Sequence, residues 1–175
     1  MTEDSAALSK ARLSHVDESQ QPRMVDVGAK PFTHRSATAR ARVIFPSDVA
    51  AALHAAGYVT PKGAVLTVAQ IAGVMGAKAT AQLIPLCHPL SLDNCDLAIR
   101  MEGMEALIDC TVSCRGATGV EMEALTGASV AALTVYDMCK ALSHDIVISE
   151  VRLLTKTGGK SDLDFRSETP AKAPT

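Results

Sequence analysis

Gly119-Val-Glu-Met-Glu-Ala-Leu125 opens the stretch of sequence that decides the fold, and the stretch closes on Tyr136-Asp-Met-Cys-Lys140. Its mostly apolar composition predicts one long helix over residues 118–142, and a helix that is apolar on most sides is normally buried. The same helix carries two carboxylates at its start and an Asp and Lys pair near its end. Because a buried charge is costly unless it is paired or used, this helix indicates a functional site as well as a core.

The segments around this helix alternate between strand and helix patterns. Small or apolar residues alternate with basic ones from Thr33 to Phe45, which predicts a half-exposed strand. Two helices are expected next, followed by two strands joined around Gly103, the long helix and a last strand. This order is that of a ferredoxin-like α+β domain, a split β-α-β unit with helices packed on an antiparallel sheet. Besides the first strand and the long helix, the predicted elements cover residues 47–56, 67–83, 94–101, 106–114 and 146–156.

Several residues predict local features of these helices. Ser47 can cap the first helix, and Thr67 and Thr118 are each followed three residues later by Gln or Glu, the pattern of a capping box. Gly73 and Gly76 lie inside the second helix, where each costs up to ~1 kcal/mol relative to Ala. We therefore expect another backbone to approach the helix closely at these glycines.

The length of 175 residues suits one domain. We expect this domain to cover residues 23–161. The two ends of the chain are polar and rich in turn-forming residues, which predicts a flexible N-terminal arm over residues 1–22 and a disordered C-terminal tail over residues 162–175.

Charge and cysteine usage exclude several classes of function. The net charge of −2 gives no overall field for nucleic acid, and no apolar run is long enough to span a bilayer. Neither nucleic acid nor a membrane is therefore expected as a partner. The five cysteines form no Cys-x-x-Cys motif and follow no secretory signal, which predicts reduced thiols and a cytoplasmic location.

The loop Ile84-Pro-Leu-Cys-His-Pro-Leu90 is held rigid by its prolines. Fixed placement suits His88 for general acid–base catalysis, because the charge of histidine changes near neutral pH. A hydrogen-bonded loop histidine is the alternative. Cys87 and His88 could also begin a zinc site, but no second pair of ligands stands nearby at metal spacing, so no metal site is predicted.

The charged residues of the long helix also have purely structural explanations. Glu121 can complete the capping box and interact with the helix dipole, and Glu123 could be an exposed acid of the first turn. Asp137 and Lys140 are three residues apart and could form an exposed ion pair. The sequence leaves these alternatives open.

Basic residues at turns and strand ends form a further candidate site. Lys62 lies in the turn Pro61-Lys-Gly63, and Lys156 and Lys160 flank Gly158-Gly159. Each could be a solvated turn residue. Together with Lys30, Arg35, Arg40 and Arg42 they could instead line a pocket, where glycine amides beside lysines would form a phosphate cradle.

Five segments carry a resemblance to a known family. They identify the chain, from about Leu13 to Ser161, as a member of the molybdenum cofactor biosynthesis protein C family, the cyclic pyranopterin monophosphate synthases. The segments are Met24-Val-Asp-Val27 with Lys30 and Arg35, Leu83-Ile-Pro-Leu-Cys-His-Pro-Leu90, Thr118-Gly-Val-Glu-Met-Glu-Ala-Leu125, Tyr136-Asp-Met-Cys-Lys140 and Lys156-Thr-Gly-Gly-Lys160.

The resemblance implies a lyase that assembles as a hexamer, a trimer of dimers, with its active site at a subunit contact. The substrate would be 3′,8-cyclo-7,8-dihydro-GTP, made by a radical-SAM GTP cyclase as functional partner. The products would be cyclic pyranopterin monophosphate and pyrophosphate. No redox cofactor is implied, and Mg²⁺ could accompany the phosphates.

The resemblance also implies roles for individual residues. The expected catalytic residues lie in the Lys-Gly turn, the histidine loop and both ends of the long helix, and Arg35 would reach into the pocket of a neighbouring subunit. The catalytic set comprises Lys62, His88, Glu121, Asp137 and Lys140, and the substrate-binding set comprises Arg35, Cys87, Met122, Glu123, Lys156 and Lys160.

Four positions depart from the pattern that is usual in the family. Ala64, Gln70 and Ala79 stand where Asp, Arg and a basic residue are usual, and Asp162 stands where Gly is usual. These changes leave a second hypothesis, a non-catalytic paralogue that binds a nucleotide or a partner protein. A cysteine and histidine metal hydrolase is a third, and it would require a stoichiometric metal ion.

Overall fold

A five-stranded antiparallel sheet covered on one face by two long helices forms the centre of the computed structural model, which describes residues 21–166. The elements, in chain order, are strand β1 (Thr33–Ile44), helix α1 (Ser47–Ala55), strands β2 (Val59–Thr60) and β3 (Gly63–Ala64), helices α2 (Val65–Lys78) and α3 (Thr80–Leu83), strands β4 (Asn94–Glu102) and β5 (Glu105–Gly116), helix α4 (Glu121–Cys139), and strands β6 (Val147–Thr157) and β7 (Leu163–Asp164).

The sheet has the strand order β4-β5-β1-β6-β7, and β2 pairs with β3 in a separate small hairpin. Strand β1 is antiparallel to both of its neighbours, β5 and β6, and β4 is antiparallel to β5. The β-α-β connection from β1 through α2 to β4 is therefore split by β5, as the sequence predicts. The α+β class and the antiparallel sheet packed by helices are confirmed.

Strand β1 shows why the sheet has one buried and one open face. Ala39 and Ala41 face the helices and are fully buried. Arg40 lies on the open face and binds Asp109 of β5 through two hydrogen bonds of 2.6 and 2.8 Å. The alternation of small and basic residues in this strand thus separates a core made of small side chains from a face of paired charges.

Helices α2 and α4 touch through glycines. A Cβ atom on Gly73 would lie 2.9 Å from the carbonyl oxygen of Gly127, and one on Gly127 would lie 3.2 Å from the carbonyl oxygen of Gly73. A Cβ atom on Gly76 would lie 2.7 Å from the Val130 side chain. The predicted close approach of another backbone is confirmed at Gly73, whereas at Gly76 the close neighbour is the Val130 side chain.

The predicted helix caps are wrong. The N-cap residues of α1, α2 and α4 are Pro46, Ala64 and Val120, and none of them caps its helix through a side-chain hydrogen bond. Helix α2 begins two residues before Thr67, and the predicted single helix over residues 67–83 ends at Lys78 and resumes as α3.

The sheet extends beyond residue 161, where the sequence places the start of a disordered tail. Leu163 pairs with Lys156, and Asp164 pairs with Thr155, which adds β7 to the edge of the sheet. The rest of that tail and most of the predicted N-terminal arm lie outside the described residues. None of the helices within residues 21–166 is long and apolar enough to cross a membrane.

Candidate active site

The eleven candidate residues fall into two groups at opposite ends of α4. Glu121 begins this helix and Asp137 lies in its last turn, so a rise of 1.5 Å per residue separates them by about 24 Å. Most of the candidates gather near Glu121, while Lys62 and Lys140 surround Asp137. A single chain therefore does not bring all of the predicted residues together.

The larger cavity near Glu121, here called the basic cavity, has a volume of about 410 Å³. It lies between the segment before β1, the loop that leads into α4, and the end of β6. Four cationic side chains and one carboxylate line it, together with small and hydroxyl side chains. The charged lining residues are Lys30, Arg35, Lys156, Lys160 and Glu121.

Contacts within the basic cavity hold two of its cations. Lys156 Nζ lies 3.1 Å from Glu121 Oε1, and Arg35 Nε donates a hydrogen bond to the Gly116 carbonyl oxygen at 3.3 Å. Arg35 thus lines the cavity of its own chain, and its reach into a neighbouring subunit stays a prediction. Lys30, one of the basic residues expected to gather in a pocket, also lines the cavity, as does Thr33, for which no role was predicted. Arg40 and Arg42 of the same expected group do not line it, because they pair with Asp109 and Glu105 of β5.

The glycine turn beside the basic cavity is occupied by a carboxylate. Gly158 has φ +80°, and a Cβ atom there would lie 2.9 Å from the His34 carbonyl carbon, so only glycine fits. The Gly158 amide donates a hydrogen bond of 2.9 Å to Asp162 Oδ1. Since this amide already binds an acid of the chain itself, the predicted cradle of backbone amides is not free at Gly158.

A second, smaller cavity of about 140 Å³ adjoins the basic cavity and is here called the loop cavity. It contains Cys87 and His88 from the rigid loop and Met122 and Glu123 from the first turn of α4. Thr118, Gly119 and Glu121 line both cavities, so together they form the wall between them.

Glu123 is the most deeply buried charged group of this region, with 4 % of its surface exposed. Burial raises the pKa of its carboxyl group, and the nearby charge of Glu121 raises it further. Burial also raises the pKa of the Cys87 thiol, with a smaller contribution from Glu123. The alternative of an exposed first-turn acid is therefore excluded for Glu123, and its placement in the substrate site remains a prediction.

The second group, here called the helix-end cluster, consists of Lys62, Asp137 and Lys140. The Asp137 carboxylate lies 2.7 Å from Lys62 Nζ and 2.8 Å from Lys140 Nζ. Lys62 reaches it from the turn between β2 and β3 and also donates to the Asp137 carbonyl oxygen at 2.8 Å. This second bond satisfies a carbonyl group of the last helical turn.

The two lysines change the acidity of Asp137. Hydrogen bonds from Lys140 and then Lys62 lower the pKa of its carboxyl group to about 2. In turn, the hydrogen bond to Asp137 raises the pKa of Lys140. The side chains of Lys62 and Lys140 are 47 % exposed and that of Asp137 is 54 % exposed. The helix-end cluster is thus open to solvent in one chain.

Three of the four departures from the family pattern lie along α2. Ala64 precedes the helix, Ala79 follows it, and Gln70 Nε2 donates a hydrogen bond of 3.0 Å to the carbonyl oxygen of Leu97 in the edge strand β4. None of these three lines the basic cavity. Gln70 instead satisfies a backbone group of the sheet.

No group of three or more His, Cys, Asp or Glu side chains suited to hold a metal ion occurs within residues 21–166. Cys87 and His88 accordingly lack further metal ligands in the part of the chain that the structure describes. Whether Mg²⁺ binds together with a phosphate-bearing ligand stays a prediction.

Comparison with known proteins gives a consistent result. The model of the MoaC family matches residues 24–159. A cyclic pyranopterin monophosphate synthase of Xanthomonas oryzae pv. oryzae is 57% identical over 154 residues, which cover 87% of this chain and 93% of that protein. One from Heliobacterium modesticaldum is 50% identical over 158 residues, 89% of this chain and 98% of that protein.

A longer protein also contains a similar region. Molybdenum cofactor biosynthesis protein 1 of Drosophila melanogaster is 54% identical over 166 residues, which cover 94% of this chain but 29% of that protein.

Proposed function

The chain belongs to the MoaC family, and we propose that it catalyses the reaction for which its bacterial relatives are named, the synthesis of cyclic pyranopterin monophosphate. It is a lyase of molybdenum cofactor biosynthesis. Its substrate is 3′,8-cyclo-7,8-dihydro-GTP, from which the pterin product and pyrophosphate form. The observation that carries this proposal is the basic cavity, in which four cations converge beside a loop with a histidine and a buried acid.

The basic cavity suits the phosphate end of such a substrate. A triphosphate carries several negative charges, and further charge develops on pyrophosphate as it leaves. Lys30, Arg35, Lys156 and Lys160 can neutralise that charge in a partly enclosed space. Arg35 is the best suited of them to two-point binding, because guanidinium groups match phosphate oxygens in pairs.

The rest of the reaction requires proton transfers, because a purine-derived ring opens and a pterin ring closes. His88 and Glu123 in the loop cavity and the helix-end cluster supply groups of different acidity for these steps. Asp137 stays ionised at neutral pH and holds the two lysines close together. Lys62 or Lys140 then transfers the proton, and Asp137 fixes the position of both.

An active site that uses both groups needs a second copy of the chain. The basic cavity and the helix-end cluster lie about 24 Å apart along α4, which is too far for one proton-transfer step. We place the helix-end cluster of one subunit next to the loop cavity of its neighbour in a hexamer, a trimer of dimers. The exposed apolar stripe formed by Val68, Ile71 and Met75 on α2 supports contacts between subunits.

The substrate comes from a radical-SAM GTP cyclase, the functional partner in this proposal. The chemistry needs no redox cofactor, because the reaction moves protons and releases pyrophosphate without net electron transfer. The cytoplasmic location also remains a prediction from cysteine usage; the five cysteines are unpaired in the structure.

Turnover of the purified protein tests this proposal against the non-catalytic alternative. The protein is incubated with enzymatically prepared 3′,8-cyclo-7,8-dihydro-GTP, and pyrophosphate and pterin product are both quantified. We expect equal amounts of the two. A folded protein that binds the substrate and releases neither product would establish the non-catalytic paralogue, and elemental analysis of the same sample would exclude or establish a metal hydrolase.

A further inference from the structure

Gly119 lies in the wall between the basic cavity and the loop cavity, and the Glu121 carboxylate folds back over it. A Cβ atom built on Gly119 would overlap Glu121 Oε2, and it would lie 2.7 Å from Glu121 Cδ and 2.8 Å from Oε1. These are the three atoms nearest to that position. The space that a side chain of residue 119 would fill is therefore occupied by the carboxylate two residues later.

The backbone itself does not require glycine at residue 119. Gly57, Gly63, Gly103 and Gly158 have positive φ angles, whereas Gly119 does not. An alanine can adopt the backbone conformation of Gly119. The absence of a side chain at residue 119 therefore matters only because the Glu121 carboxylate occupies that space. In this respect Gly119 differs from Gly158, where the neighbouring backbone of His34 excludes any side chain.

The folded-back carboxylate holds Lys156. Glu121 Oε1 lies 3.1 Å from Lys156 Nζ, and both side chains are mostly shielded from solvent, with 30 % and 26 % exposed. Both residues line the basic cavity. An anion that enters this cavity must therefore compete with Glu121 for Lys156.

We propose that Gly119 is a positioning residue, because its missing side chain lets the Glu121 carboxylate fold back and keep Lys156 paired until an anion displaces it. With Ala at residue 119, the carboxylate must rotate away, since it is the flexible end of a side chain. Lys156 then loses its partner and is available to an anion without competition. The geometry does not depend on the proposed function; only the identity of the physiological anion rests on that function.

Binding of inorganic pyrophosphate to the full-length protein tests the proposal. Isothermal titration calorimetry is carried out on wild type, Gly119→Ala, Glu121→Ala and the double variant. Because a partly exposed ion pair is weak, its loss in Gly119→Ala should tighten binding of pyrophosphate only about two- to fivefold relative to wild type. Glu121→Ala should bind pyrophosphate at least as tightly as Gly119→Ala does, because it also removes a negative charge from the cavity.

The double variant shows whether Gly119→Ala changes the affinity for pyrophosphate through the Glu121 carboxylate. In the Glu121→Ala background, the added methyl group at residue 119 no longer meets a carboxylate, so the double variant should bind pyrophosphate like Glu121→Ala alone. A further change of affinity on adding Gly119→Ala to Glu121→Ala would show that residue 119 acts through the backbone, and the proposal would be wrong. Wild-type affinity in Gly119→Ala would contradict it as well.

Folding of the variants gives a second readout. If Gly119→Ala alone fails to fold while the double variant folds, the carboxylate contact is again the cause, and the proposal stands. If both fail, the backbone requires glycine and the proposal is overturned. Because pyrophosphate binding needs no turnover, this result is separate from the turnover experiment on the proposed function.

Discussion

The Lys62 ammonium group lies 2.7 Å from the Asp137 carboxylate, which joins the turn of the β2–β3 hairpin to the last turn of α4. Lys140 binds the other oxygen of the same carboxylate. One exposed acid thus holds two lysines from different elements at a fixed separation, as a site for proton transfer requires.

Replacing either lysine should stop the reaction and leave the fold intact. We expect Lys62→Ala and Lys140→Ala to lower kcat by about 10²–10⁴-fold, the range for loss of a general acid or base. Because the cluster is exposed, the melting temperature should change little. Arg166→Ala is the matched control, since Arg166 is an exposed cation paired with Asp164 and should keep wild-type kcat. Near-native kcat in either lysine variant would remove it from the catalytic set.

Glu123 should make the stability of the protein depend on pH. Burial raises the pKa of this carboxyl group, so Glu123 stabilises the fold below its unfolded pKa of ~4.3. This contribution is lost as the pH rises through the higher pKa of the folded state. We expect the melting temperature of Glu123→Gln to fall less than that of wild type between about pH 4 and pH 8.

The exposed acid Glu102 provides the control for this experiment, because Glu102→Gln removes a carboxylate that is 57% exposed. Its melting curve should follow wild type across the pH range. Parallel pH dependence of wild type and Glu123→Gln would show that Glu123 titrates normally.

Asp162 should weaken anion binding, because its charge lies at the glycine turn between Lys156 and Lys160. Asp162→Asn keeps an oxygen that can accept the hydrogen bond from the Gly158 amide but removes the charge. We expect Asp162→Asn to bind pyrophosphate about two- to fivefold more tightly by calorimetry. Asp164→Asn, two residues further on and paired with Arg166, should bind like wild type. Equal affinity of Asp162→Asn and wild type would show that the family departure has no electrostatic effect.

The glycine contact between α2 and α4 should be essential for stability. A Cβ atom on Gly127 would lie 2.6 Å from Cys110 Sγ and 3.2 Å from the Gly73 carbonyl oxygen. Overpacking of this kind costs about 1–3 kcal/mol, so Gly127→Ala should lower the free energy of unfolding by that amount in urea titrations. Thr67→Ala, at an exposed position of α2, should stay within about 0.5 kcal/mol of wild type. A stable Gly127→Ala variant would mean that the helices can separate without loss.

The main strands and helices could be predicted from the sequence because each has one buried apolar face and one polar face. In β1, the buried Ala39 and the paired Arg40 alternate as the pleat requires. The predicted caps failed for a tertiary reason. Helix α2 continues directly from the small hairpin, where the Val65 amide donates to the Tyr58 carbonyl oxygen at 2.9 Å. Glu121, which a capping box would use, pairs with Lys156 instead.

The candidate site was predictable in its residues and only partly in its arrangement. The motifs identified the charged side chains, and the 16-residue spacing of Glu121 and Asp137 in one helix already implied their separation. The hydrogen bond between Asp162 and the Gly158 amide and the shared wall at Gly119 were not predictable, because both depend on how loops fold onto β6 and α4. A two-residue strand such as β7 also carries too little pattern to be recognised.

Mixing two inactive variants tests most directly whether the active site combines two chains. Lys156→Ala disables the basic cavity and Lys140→Ala disables the helix-end cluster. If each site takes one part from each of two subunits, random mixing at equal amounts restores about a quarter of the sites. The two variants are co-expressed with different affinity tags, and mixed oligomers are isolated by both tags before turnover is measured. Recovery of activity near this fraction is the predicted result, and mixed oligomers as inactive as each variant alone would contradict a site shared between subunits.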